Sequence, residues 1–173
     1  MIMPRGSGHL LLPAQPLFIT ASILVALALN LVPLGRIAWL PDLLALVLAF
    51  WNVHQPRRVG VGAAFVCGLI MDVHHGAVLG QHALAYTLLS YGAIAMHRRL
   101  LWFGAIEQAV HVLPLFVMMH AVAAGVRLLL GGMWPGWALA FAPLIEAALW
   151  PIATAILLAP QRRPPDPDAN RPI

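Results

Sequence analysis

The sequence predicts an all-α integral membrane protein, a bundle of about six transmembrane helices, and three observations carry that prediction. Hydrophobic residues fill 61% of 173 positions and charged residues only 9%, with a mean hydropathy of +0.85. That balance is too apolar for a water-soluble domain of this length. The apolar residues gather into runs near the roughly 20 residues that a helix rising about 1.5 Å per residue needs to cross a hydrocarbon layer about 30 Å thick. The breaks between the runs combine helix breakers with arginine, as turns at a membrane surface do.

The spans are placed at Leu17–Leu34, Ile37–Val53, Gly60–Val78, His82–Met96, Phe103–Leu130 and Gly136–Ala159. Pro33-Leu-Gly-Arg36 separates the first pair and Gln55-Pro-Arg-Arg58 the second. Between the third and fourth, Asp72-Val-His-His-Gly76 and Gly80 fit either a loop or a kinked helix. His97-Arg-Arg99 closes the fourth span, and Gly131-Gly-Met-Trp-Pro135 separates the last two. Residues 1–16 lack the short apolar core and small-residue cleavage pattern of a removable signal and are expected to be a retained cytoplasmic tail. Residues 17–160 form the membrane domain, and the Pro-rich, charged residues 161–173 are expected to be a disordered cytoplasmic tail.

Orientation follows from arginine, because cytoplasmic loops retain the positive charge. With six spans and both termini inside, Arg5, Arg57, Arg58, Arg98, Arg99, Arg162, Arg163 and Arg171 all fall on the cytoplasmic side. Only Arg36 and Arg127 fall outside. Trp39, Trp51, Trp102, Trp134 and Trp137 then lie near the interfaces, while Trp150 is expected to pack inside. The formal charge of +4 is spread between spans rather than clustered, which argues against nucleic-acid binding. A single cysteine, Cys67, excludes a disulfide framework and reads as a small core residue.

Polar residues inside the spans are the default candidates for function, because an ionised group there is costly unless paired or wetted. Asp42 and Asp72 approach the same outer surface and are expected to share one polar site, with Arg127 as a possible ion-pair partner for either. Pro41-Asp42 also has the chemistry of a helix start, where the carboxylate caps backbone N–H groups. Glu107 lies near the inner surface, within reach of Arg98 or Arg99. Glu146 falls near mid-membrane, flanked by Pro143 and Pro151, and must be protonated or face a polar interior. His111 and His120 are candidate neighbours, for interhelical hydrogen bonding or, less commonly, a proton relay. Gly60, Ala64 and Gly68 form a series of small residues four apart that lets another backbone approach, and Gly76 and Gly80 repeat the spacing. The eight histidines include no pair four residues apart and read as loop-surface residues rather than metal ligands. No nucleophile with a base, Walker loop or dinucleotide fingerprint is distinguishable from chance, so neither catalytic activity nor a cofactor is expected.

Two stretches carry a likeness. One is Pro41-Asp-Leu-Leu-Ala-Leu-Val-Leu-Ala-Phe-Trp51 with His54-Gln-Pro-Arg-Arg-Val-Gly60. The other runs from Gly60 through Gly68-Leu-Ile-Met-Asp72 to Gly76, Leu79-Gly80, Gln81-His-Ala-Leu84 and Tyr86. In order, spacing and length they resemble the MreD family, the membrane subunit of the bacterial rod-shape-determining system. Pro41, Asp42, Asp72, Gly76 and Gly80 match its motif positions. The resemblance implies a non-enzymatic inner-membrane protein that binds MreC and, through it, works with the MreB filament and the peptidoglycan elongation synthases. It also implies a fold like that of the substrate-binding subunits of energy-coupling-factor transporters, which keeps a small-solute-binding or transport role as the alternative.

Overall fold

The computed structural model describes residues 15–32 and 40–161. Six α-helices follow in chain order: α1 Pro16–Asn30, α2 Leu43–His54, α3 Gly60–His75, α4 Gln81–Leu100, α5 Ala105–Leu129 and α6 Phe141–Leu158. Short 3-10 turns, Trp137–Ala140 and Ala159–Gln161, precede and follow α6. Among the described residues there is no strand. Residues 1–14 and 162–173 of the expected tails, with Trp39, Arg36 and the arginines near the termini, lie outside the described residues, while Pro16 opens α1 and Gln161 belongs to the last 3-10 turn.

Local chemistry accounts for the ends of these elements. Pro16 opens α1, where its fixed φ suits a first turn and its missing N–H is no loss. The expected second span begins at Ile37, but α2 begins at Leu43, because Asp42 is its N-cap and accepts the Ala45 N–H at 2.9 Å. At the end of α3, Gly76 adopts a left-handed φ of 57°. Its N–H reaches the Val73 carbonyl while Ala77 N–H reaches the Asp72 carbonyl at 2.9 Å, a Schellman closure. The open question between spans three and four therefore resolves as a loop.

Helix α4 is longer than the expected His82–Met96. It runs on through His97 to Arg98 and Arg99, and the positive charge of the two arginines complements the carbonyl end of the helix dipole. Helices α5 and α6 follow their expected spans within a few residues and carry internal prolines at Pro114 and Pro151. Glu107 does not pair with Arg98 or Arg99. Its carboxylate accepts the Gly104 N–H at the start of its own helix.

Helix α2 is the central element, with nine of its twelve residues buried against α1, α4 and α6. Phe50 and Trp51 of α2 meet edge to face and Phe50 also contacts Trp150 of α6. Trp150 is interior, as expected. Trp51, expected at an interface, is instead fully buried, and its indole N–H donates to Ser22 Oγ of α1 at 2.8 Å. The polar partner that an interface would supply is supplied by a neighbouring helix.

Gly68 explains the closest helix pair. A Cβ there would lie 2.4 Å from Ala83 Cα, so α3 and α4 touch backbone to backbone. Ala64 is buried in the core, whereas Gly60 meets no neighbour within 4 Å and serves the turn with a φ of 65°. The small-residue series is thus used within the chain at Gly68, while Gly76 and Gly80 shape a loop.

Much of the exterior is apolar. Leu17 and Val25 of α1, Val66 and Val73 of α3, Ile106 and Val110 of α5, and Ile152 and Ile156 of α6 all point outward. Two helical stretches, Ala105–Leu129 and Trp137–Gln161, are long and apolar enough to cross a membrane.

Candidate functional site

The inward-facing carboxylates stand at one end of the bundle, where α1 ends, α2 begins, α3 turns into α4, and α6 begins. Asp42 sits at the centre of this end. Its Oδ1 accepts from Asn30 Nδ2 at 2.6 Å and from the Ala45 N–H, and its Oδ2 accepts the Tyr86 hydroxyl of α4. One side chain therefore ties three helices together.

Asp72, fully buried near the end of α3, does a related task across the Gly76–Gly80 loop. Its carboxylate accepts the backbone N–H groups of Gly80 at 2.8 Å, His82 at 2.7 Å and Ala83 at 3.4 Å. It also accepts His82 Nδ1 at 2.8 Å. Helix α4 begins after Gly80, which has a φ of 103° and no side chain to cap it. Asp72 thus supplies the missing cap from the preceding helix, placing negative charge at the positive end of α4. The positions expected from the family motif become a capping device: Gly76 and Gly80 bend the chain so that Asp72 can reach back.

Glu146 completes the network from α6 with zero exposure. Its Oε1 accepts the Asp42 backbone N–H at 2.9 Å and His120 Nε2 of α5 at 2.8 Å, while Oε2 has no partner among the described residues. His120 is the neighbour that the sequence proposed. His111, the other candidate, instead bonds the Glu107 carbonyl one turn back and stacks on Phe103.

Arg127 corrects the expected ion pair. It pairs with neither Asp42 nor Asp72, because α5 runs on to Leu129 and carries Arg127 about 10 Å along the axis beyond His120, which occupies the level of the carboxylates. Both acids are satisfied by neutral groups and imidazole instead. Sequence reasoning also missed His82, Tyr86 and Asn30. His82 and Tyr86 are four apart on one face of α4, and that spacing within a helix start was the available signal.

Asp42, His82, Tyr86 and His120, with Ala85, Met119 and Ala123, line a cavity of about 50 Å³. Nearby, His120 also borders an apolar groove of about 220 Å³ walled by Trp134, Trp137 and Pro143. Among the described residues, no three His, Cys, Asp or Glu side chains are grouped to hold a metal ion. The arrangement stores hydrogen-bond acceptors inside an apolar bundle and ties all six described helices together at one end.

Comparison with known proteins adds an independent line. The family model described as rod shape-determining protein MreD matches residues 14–159. The chain is similar to rod shape-determining protein MreD of Haemophilus influenzae, 31% identical over 94 residues, which cover 51% of this chain and 58% of that relative. The matched stretch thus spans little more than half of the relative's length. No solved structure matches.

Proposed function

The chain belongs to the rod shape-determining protein MreD family, and from that membership we propose that it is a multi-pass subunit of the bacterial inner membrane that helps maintain rod shape. In this reading it binds MreC and, through it, the MreB filament and the peptidoglycan elongation synthases, localising wall synthesis rather than catalysing it. The observation that carries the reading is the family match across residues 14–159. The distribution of polarity supports the membrane part: Asp42, Asp72 and Glu146 face inward while large apolar side chains cover the outside. A surface of that kind requires lipid or protein cover.

All six helices cross the membrane in this proposal, with both termini cytoplasmic and the Asp42–Asp72–Glu146 end facing outward. The shorter apolar helices α1, α2 and α3 reach this role as tilted or locally thinned spans packed around longer ones. Residues 17–160 then form one membrane domain between two cytoplasmic tails. Its likeness to the substrate-binding subunits of energy-coupling-factor transporters is part of the same proposal and rests on the family resemblance.

Gly68 is unavailable to a partner because α4 already fills it, so docking uses outward apolar positions such as Ile106, Val110 and Val117 of α5. The deciding experiment depletes the host's own protein in a rod-shaped bacterium and supplies this chain with photocrosslinkers at those positions. Restored rods and a crosslink to MreC are expected. Round cells together with a chain washed out of membranes by alkaline carbonate would sink the proposal. A second reading, a small-solute-binding subunit, is favoured only by the cavity between α2, α4 and α5.

A further inference from the structure

Which atoms of the buried network remain unused decides what the cavity can accept. His82 Nδ1 meets Asp72 Oδ1, an oxygen that already accepts the His82 backbone N–H, so the ring nitrogen is the donor. In the neutral imidazole, Nε2 then carries a lone pair. His120 Nε2 meets Glu146 Oε1, which already accepts the Asp42 N–H, so Nδ1 of His120 is left in the same condition. Neither remaining ring nitrogen has a hydrogen-bond partner among the described residues. The Tyr86 hydroxyl gives its proton to Asp42, so its own oxygen can still accept.

Among the described residues, Asp42 hydrogen-bonds only to neutral donors: Asn30, the Ala45 N–H and Tyr86. The cavity is therefore lined, among the described residues, by a carboxylate whose hydrogen-bond donors are all neutral, a phenolic oxygen and two imidazoles with one ring nitrogen each left unengaged. Behind His120 and outside the lining, the fully buried Glu146 keeps Oε2 without a partner among the described residues. A second water-like donor and acceptor would leave its own lone pairs unmatched here. A group with several N–H donors, no acceptor and a positive charge would not.

We propose that this cavity binds a primary ammonium group. Three N–H donors match the acceptors of Asp42, Tyr86 and one neutral imidazole, and the positive charge compensates Asp42 in a medium where a lone carboxylate is costly. The volume of about 50 Å³ holds on the order of three water molecules, room for an ammonium with one or two carbons. Ala85 and Ala123 keep that space open. A quaternary ammonium has the charge without the donors and does not fit. The source is either a free small amine or the amine headgroup of a phospholipid, and the site is independent of any role in cell shape.

The test uses the full chain in lipid nanodiscs and reads its unfolding temperature during titration with methylammonium chloride, against tetramethylammonium chloride at equal ionic strength. A saturable rise of about 2–4 °C with methylammonium alone is expected. In discs containing phosphatidylethanolamine, loss of that response identifies the headgroup as occupant, whereas an unchanged response identifies a free amine. Asp42→Asn abolishes the response, and Ala123→Leu, which fills the cavity while leaving every acceptor in place, does the same where Asp42→Asn fails to fold. No saturable rise in any disc, an equal rise with tetramethylammonium, or a response that survives Ala123→Leu overturns the proposal.

Discussion

Asp72 holds His82, ten residues further along the chain, twice through one oxygen: Oδ1 accepts both the His82 backbone N–H at 2.7 Å and its ring Nδ1 at 2.8 Å. This double bond to one residue fixes the start of α4 relative to the end of α3. Truncating Asp72→Ala strands three backbone N–H groups and one imidazole nitrogen in the interior. A loss of about 2–4 kcal/mol is expected, with Asp72→Asn losing less because it keeps one acceptor oxygen. Thermal unfolding of the purified variants measures both, and an Asp72→Ala protein as stable as the parent contradicts the capping role.

Gly68 and Gly62 lie on the same helix but face different surroundings. A Cβ at Gly68 collides with the Ala83 backbone, whereas one at Gly62 meets nothing within 4 Å. Gly68→Ala is expected to cost about 1–3 kcal/mol by forcing α3 away from α4. Gly62→Ala is expected to be neutral or to stabilise by up to about 1 kcal/mol, through helix propensity. Paired denaturation curves separate the two, and equal effects would contradict the close approach at Ala83.

Trp150 Nε1 donates to Gln108 Oε1 at 3.0 Å between α6 and α5, with both residues buried. A double-mutant cycle with Trp150→Phe and Gln108→Leu is expected to give a coupling of about 0.5–1.5 kcal/mol, the range for interhelical side-chain bonds in bundles of this kind. Strict additivity would place the bond outside the native state.

Glu146 and His120 pose a sharper contrast. Glu146→Ala removes the acceptor of both His120 Nε2 and the Asp42 N–H, while His120→Ala leaves the Glu146–Asp42 bond in place. Glu146→Ala is therefore expected to be the more destabilising by about 1 kcal/mol, and Glu146→Gln, which retains a carbonyl oxygen, to recover part of the difference. Unfolding temperatures in a common detergent give the order, and the reverse order contradicts the bridge to α2.

Arginine placement and stability are separable. Arg57 and Arg98 are exposed at the end opposite the carboxylates, so Arg57→Ala and Arg98→Ala are each expected to change stability by no more than about 0.5 kcal/mol. Unfolding temperatures check this directly. A large loss from either would mean that the turn is built on its charge.

The sequence by itself determined the number and order of the helices, the helix-start chemistry of Asp42, and the short list of inward acids, because apolar run length and charge placement act residue by residue. It also showed Glu146 and His120 as possible neighbours. It leaves the pairing of Arg127 open, since distance along a helix axis is legible but the level at which two helices stand side by side is not. Trp51 was misread for a related reason: whether an indole N–H finds water or Ser22 depends on which helix lies against it. The histidines read as surface residues because imidazole is equally at home in both places, and only the crossing of α3 with α4 at Gly68 brings His82 to Asp72. Tertiary structure decided that three acids from three helices share one polar end. The reason is that their partners lie up to 104 residues away along the chain, so they become neighbours only after packing has fixed the helices side by side.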